Sequence, residues 1–101
     1  MDLDQLAARL RETAALNPPL GYKVLFDLEG LGELWWDGTE SPAVVATSAG
    51  GEADTVLKVS AENAEKLLAG TLDPTMAFMM GKLKVEGSKG VAMKVASLLS
   101  D

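Results

Sequence analysis

The chain has 101 residues, a formal charge of −6, and neither Cys nor His. That length suits one domain with a core of its own, and the missing residue types exclude disulfides, thiolate nucleophiles, the commonest metal ligand and the usual near-neutral general base. The acidic balance argues against nucleic acid as a partner, because that affinity rests on clustered Lys and Arg meeting phosphates.

Residues 3–16 are predicted to form a first helix. Leu3, Leu6, Ala7, Leu10 and Ala14 recur at helical spacing, and Asp2 with Gln5 has the pattern of a capping box. Pro18 and Pro19 end it. Tyr22, Val24, Phe26 and Leu28 then alternate with Lys23, Asp27 and Glu29, the period of a strand with one apolar face, which Leu25 interrupts. Gly30 and Gly32 make a turn into a second strand, 32–37, whose adjacent Trp35 and Trp36 must point to opposite faces. One Trp is therefore expected in the core. Residues 37–42 read as a turn, 43–47 as a third strand, 48–52 as another turn and 53–59 as a fourth strand.

Ser60 is placed to cap a helix over 61–69, which Gly70 stops and whose apolar face is Ala61, Ala64, Leu67 and Leu68. Asp73 caps the next helical turn, and Pro74 takes its first position, where a missing N–H costs nothing. Gly81 closes that turn. Residues 82–86 form a fifth strand with Leu83 and Val85 inward, and Ser88 caps a final helix with Val91, Ala92, Val95, Leu98 and Leu99 on one stripe. The order α-β-β-β-β-α-α-β-α predicts a single α+β domain over 1–101, with a mainly antiparallel sheet covered on one face by helices.

Catalysis would have to rest on carboxylates, Lys, Ser88, Thr or Tyr22, and none stands in a recognisable catalytic spacing. The chain reads as no enzyme, and no cofactor is expected. Met76, Phe78, Met79 and Met80 crowd one short segment, with Met93 further on. Met repacks readily, so the cluster suits the wall of a tolerant apolar pocket; at helical spacing it equally suits ordinary core. Charge is uneven as well. Residues 82–94 hold Lys82, Lys84, Lys89 and Lys94 against Glu86, a net +3, while residues 1–81 hold five basic against thirteen acidic residues, a net −8. These Lys are either the solvated faces of a strand and a helix or a surface for transient contact with anionic membranes. The first residues, Met1-Asp2-Leu3-Asp4-Gln5, carry acids where a secretory signal has basic residues. No apolar run approaches the roughly 18 residues of a membrane span, so a cytoplasmic location is expected. The final Leu99-Ser100-Asp101 is not a Ser-Lys-Leu-type address.

From Ala53 to Leu99 the chain carries, in order, Ala53-Asp54-Thr55, Leu68-Ala69-Gly70, Asp73-Pro74, Ala77-Phe78, Gly81-Lys82-Leu83-Lys84-Val85, Gly87 and Gly90-Val91-Ala92-Met93-Lys94. In that combination it resembles the sterol carrier protein-2 domain. The resemblance implies a five-stranded, largely antiparallel sheet with helices on one side, enclosing an apolar tunnel for fatty acids, fatty acyl-CoA or sterols, which are bound and transferred without chemistry. Phe78, Leu83 and Met93 stand in the matching motifs; Met79 and Met80 replace positions that the family varies, often with an aromatic and a polar residue. With Leu98 and one of Trp35 and Trp36, these are the residues expected to line the tunnel. Apolar Met80 favours an acyl chain over a ligand needing a specific hydrogen bond. The final helix ends soon after Leu99, without the extended tail of peroxisomal members, so a more open or differently closed site is expected. From another class, the chain could be a ligand-free module that joins a partner enzyme or itself through a sheet edge or the Met-rich surface. A dry, fully packed interior would favour that alternative.

Overall fold

The computed structural model of the protein describes residues 2–17, 21–40, 43–47 and 51–100. Helix α1, Leu3–Leu16, begins with the complete capping box: Asp2 Oδ1 accepts from the Gln5 N–H at 2.8 Å, and Gln5 Oε1 accepts from the Asp2 N–H at 2.9 Å. Its buried residues are Leu6, Ala7, Leu10 and Ala14, one face at the spacing read from sequence. The proposed stop at Pro18-Pro19, the Ser41-Pro42 end of one turn and Ser48–Gly50 of the next lie outside the described residues.

Five strands follow: β1 (Lys23–Glu29), β2 (Gly32–Asp37), β3 (Val44–Ala46), β4 (Thr55–Ser60) and, after two helices, β5 (Leu83–Gly87). They form one sheet in the order β3-β2-β1-β4-β5. Three pairings are antiparallel, and the central β1–β4 pair is parallel. The sheet is thus mixed but mostly antiparallel. Short connections do keep β1, β2 and β3 adjacent, whereas the chain after β3 returns to the other side of β1 before β4 begins.

Asp54 fastens that return. Its N–H donates to the Lys23 carbonyl and its carboxylate accepts from the Lys23 N–H, both at 2.8 Å, while its own carbonyl accepts from the Ser88 N–H at 3.1 Å. Gly87 ends β5 directly against this point, with φ +82°, and a Cβ there would lie 2.6 Å from the Asp54 oxygen. Only glycine meets both the backbone angle and the contact. Beside it the buried Thr55 hydroxyl donates to the Glu86 carbonyl at 3.0 Å. The start of β4 is thereby tied to both β1 and β5.

Helices α2 (Ala61–Leu68), α3 (Pro74–Met79) and α4 (Lys89–Ser100) complete the fold. Ser60 Oγ accepts from the Asn63 N–H at 3.1 Å, Ser88 Oγ from the Val91 N–H at 3.3 Å, and Asp73 Oδ1 from the Thr75 and Met76 N–H groups at 2.8 and 3.1 Å. Each predicted cap is in place. Helices α1, α2 and α4 pack over one face of the sheet, and α3 sits at the β5 edge beside α4. That face carries Val24, Phe26 and Leu28 of β1, Leu34 and Trp36 of β2, and Leu57 and Val59 of β4, all buried. Phe26 and Trp36 meet with ring centroids 6.4 Å apart and planes tilted by 59°.

Candidate functional site

The helical layer and the sheet close on a wholly apolar interior. Leu6 and Leu10 of α1 reach it from above one end, Ala64, Leu67 and Leu68 of α2 and Ala96 and Leu99 of α4 from the rest of the layer. Phe26, Leu28, Leu34, Leu57, Val59 and Leu83 form its floor. No lining residue is titratable or carries a side-chain polar atom. The cavity left between them is about 20 Å³. One water needs on the order of 10–15 Å³, but a water also needs polar partners, which this wall does not offer. The arrangement is a small hydrocarbon-lined cavity within the core.

One polar atom stands out beside it. Trp36 Nε1 is buried without a hydrogen-bond partner, the one such side-chain N or O among the described residues. Trp36 does not line the cavity, but Phe26 and Leu34 do; Phe26 contacts its ring, and Leu34 precedes it on the same face of β2. An unpaired buried N–H costs on the order of 1–3 kcal/mol.

The residues expected to line a tunnel divide into four groups. Leu83 alone of them lines the cavity. Trp36 belongs to the core next to it, whereas Trp35 faces the opposite side of the sheet, between Leu25 and Ala46 in register, and is nonetheless only 4% exposed. Both Trp are buried, on opposite faces. Phe78, Met79 and Met80 lie outside the lining, Phe78 about one-third exposed and Met79 and Met80 exposed by 74% and 58%. The reason is the length and register of α3: it has six residues, so it can bury one narrow face, and Pro74 with Ala77 three positions later occupies that face. Met93 and Leu98 are half-buried at the borders of the α4 stripe and flank a shallow outer depression with Gly90, Lys94 and Ser97. On α4 the inward face is completed by Ala96, which the sequence reading left out in favour of Leu98.

Sequence reasoning also missed Leu6, Leu10, Leu57, Leu67 and Leu99 as walls of the cavity. Their signal was present as ordinary core periodicity, which does not separate a residue packed on a neighbour from one facing a void.

The Met80 end of α3 is set by a Schellman turn. The Gly81 N–H donates to the Phe78 carbonyl at 3.2 Å and the Lys82 N–H to the Ala77 carbonyl at 2.8 Å, with Gly81 at φ +77°. Lys82 leaves this turn into solvent. On the far face of the sheet Lys58 pairs with Glu86 at 3.0 Å. The hydrogen bond and charge of Glu86, with Asp27 and Glu29 adding to it, raise the Lys58 ammonium above its ordinary value. Asp37 is lowered because the Thr39 hydroxyl and N–H donate to its carboxylate. Neither group lines the cavity. Among the described residues no three His, Cys, Asp or Glu are grouped to hold a metal ion, and no helix is long and apolar enough to cross a membrane.

The model of the SCP-2 sterol transfer family matches residues 3–100. The chain belongs to this family. Within the family, this SCP-2 domain is 43% identical over 49 residues, 48% of its length, to hydroxysteroid dehydrogenase-like protein 2 of Bos taurus, of which the match covers 12%. The chain therefore spans a small part of the curated relatives it matches. Its fold superposes on the crystal structure of sterol carrier protein 2 like 2 from Aedes aegypti with a TM-score of 0.74 and 17% identity, covering 94% of each chain. The solution structure of the palmitated form of that protein gives a TM-score of 0.68 at 18% identity, covering 100% of this chain and 96% of the other. Sterol carrier protein domain 2 of Helicoverpa armigera matches with a TM-score of 0.61 and 26% identity, over 97% of this chain and 73% of that one. The SCP-2 domain is a lipid-binding one, and the five-stranded α+β fold expected from the resemblance is the fold observed.

Proposed function

We propose that the protein binds an apolar lipid between its sheet and the layer formed by α1, α2 and α4, and carries it between membranes without chemical change. The observation that carries this reading is the interior cavity lined only by hydrocarbon side chains from all three helices and four strands. Membership of a sterol transfer family supports it. Fatty acids, fatty acyl-CoA and sterols are the ligand classes that such a wall accepts.

Size imposes a condition. Ligand pockets hold about 300–1,000 Å³, while this cavity holds about 20 Å³. Loading therefore requires the helical layer to lift from the sheet. Each ligand methylene withdrawn from water contributes about 0.8 kcal/mol, so a chain of about 16 carbons supplies on the order of 13 kcal/mol against the costs of opening and ordering. No charged side chain lines the cavity to compensate a carboxylate, so a fatty acid would keep its head at the surface. A neutral hydroxyl or carbonyl could instead enter and accept from Trp36 Nε1.

The test is native mass spectrometry of freshly purified protein with organic extraction, followed by displacement of a fluorescent fatty acid. Co-purified or displaceable lipid is the expected result. A protein that is empty and refuses fatty acids, acyl-CoA and sterols would favour the alternative of a ligand-free interaction module, which the nearly filled interior also suits.

A further inference from the structure

Helix α3 presents an apolar surface that the fold leaves unused. Seven large apolar side chains are exposed among the described residues, and four of them, Met76, Phe78, Met79 and Met80, fall within five consecutive positions. The other three, Leu16, Tyr22 and Val44, are scattered along the chain. Single exposed apolar residues are ordinary, but Met76, Met79 and Met80 stand at i, i+3 and i+4 on one face of α3, and a group of that kind marks an interaction surface. No residue of α3 lines the interior cavity. The cluster thus has no share in the pocket as it stands.

The charges around it point to what covers it. Lys82 follows the α3 turn directly, Lys84 lies on the adjoining β5, and Lys89 and Lys94 lie on α4; all four are exposed. None of the four makes an ion pair among the described residues, whereas Lys58 and Lys66 are paired with Glu86 and Glu62. The single acid of the 82–94 segment is thereby engaged elsewhere. Helix α1, another helix with an exposed polar face, differs. Asp2, Asp4 and Glu12 outnumber Arg9 and Arg11 there; Arg9 pairs with Glu12, and Arg11 donates to the Val45 carbonyl. An acidic protein with one unpaired basic region beside one exposed apolar turn is complementary to a negatively charged lipid surface.

We propose that α3 docks the protein on an anionic bilayer, with Phe78 and its neighbouring Met side chains entering the boundary between headgroups and acyl chains and Lys82 and Lys84 meeting the headgroups. This rests on the lipid-transfer reading, for which it supplies the membrane-facing element. Flexible Met side chains fit an irregular lipid boundary without a fixed partner shape.

The test is sedimentation with vesicles of phosphatidylcholine alone or with roughly one-third phosphatidylserine, at low and high salt. The protein is expected to pellet with the anionic vesicles. The double variant Met79→Ser, Met80→Ser loses at least about tenfold in vesicle affinity. Lys82→Gln with Lys84→Gln loses about fivefold at low salt and little at high salt. Circular dichroism and melting of both variants should match the parent, since all four side chains are exposed. Unchanged vesicle affinity in the folded Met variant overturns the proposal. So does a parent protein that ignores vesicles and forms a dimer which the Met variant dissolves, for the patch then belongs to a second copy of the chain. Displacement of a fluorescent fatty acid from the parent protein, measured without vesicles, separates the two readings. Docking by a protein that takes up neither fatty acid, acyl-CoA nor sterol removes the carrier reading and leaves the docking surface; lipid uptake without docking does the reverse.

Discussion

Two apolar regions of this protein differ in every respect except their hydrophobicity. The interior between the sheet and α1, α2 and α4 is built from Leu, Val, Ala and one Phe, side chains with few rotamers, packed around a cavity of about 20 Å³. The outer turn of α3 is built from three Met and one Phe, the Met being soft and many-jointed, and it stands in solvent. The first region holds the fold together and must be forced open to act. The second contributes little to the fold and is already accessible. Hydrophobicity alone thus identifies neither a pocket nor a docking surface; burial and side-chain stiffness separate them.

The largest effect that sharpens this contrast comes from truncating each region in turn. Leu57→Ala, at a position 1% exposed in the cavity floor, should destabilise the protein by about 2–5 kcal/mol in a denaturant titration, whereas Met79→Ala should stay within about 0.5 kcal/mol. Equal losses would mean that α3 is part of the core after all. Next in size, Asp73→Ala removes the carboxylate that caps α3 and should cost about 1 kcal/mol, most of it as fraying of that short helix, read by hydrogen exchange at Thr75 and Met76. Protection unchanged at both amides would show that α3 is held by its packing and not by its cap.

A smaller effect is expected for Met80→Glu. With Met80 58% exposed and outside the cavity lining, the variant should shift fatty-acid displacement by less than about twofold while repelling anionic vesicles. A large loss of fatty-acid affinity in the folded variant would bring Met80 back to the ligand site. The smallest effect lies on the far face of the sheet. Because Glu86 raises Lys58 above 10.5, the folded protein holds that proton more tightly than the unfolded chain. The resulting stabilisation is complete below pH 10.5 and disappears as the pH rises through the folded-state value. Glu86→Gln should therefore flatten the alkaline fall of the melting temperature, and an unaltered alkaline limb would show that the pair contributes nothing.

Most of the fold was legible because local signals agreed with one another. Asp2 with Gln5, Ser60, Asp73 before Pro74 and Ser88 each marked a helix start that the structure contains, and Gly70 and Gly81 marked helix ends. The site was far less legible. Of the residues expected to surround a lipid, only Leu83 lines the interior cavity, because the Met-rich turn was read for its composition without knowledge of which face α3 would bury. Pro74 and Ala77, the residues of α3 that pack inward, carry no signal of which face the helix would bury.

The sequence by itself determined the element order, the caps, the absence of Cys and His and the uneven placement of charge, since each depends on residue type and on neighbours a few positions away. Only the tertiary structure decided that β4 would pair in parallel with β1, that Trp36 would enter the core while Trp35 took the opposite face, and that α3 would turn its Met residues to solvent. Those outcomes follow from contacts between residues distant in the chain, such as Asp54 with Lys23 and Ser88, and alternation or helical period fixes a face only relative to its own element, never to the rest of the fold.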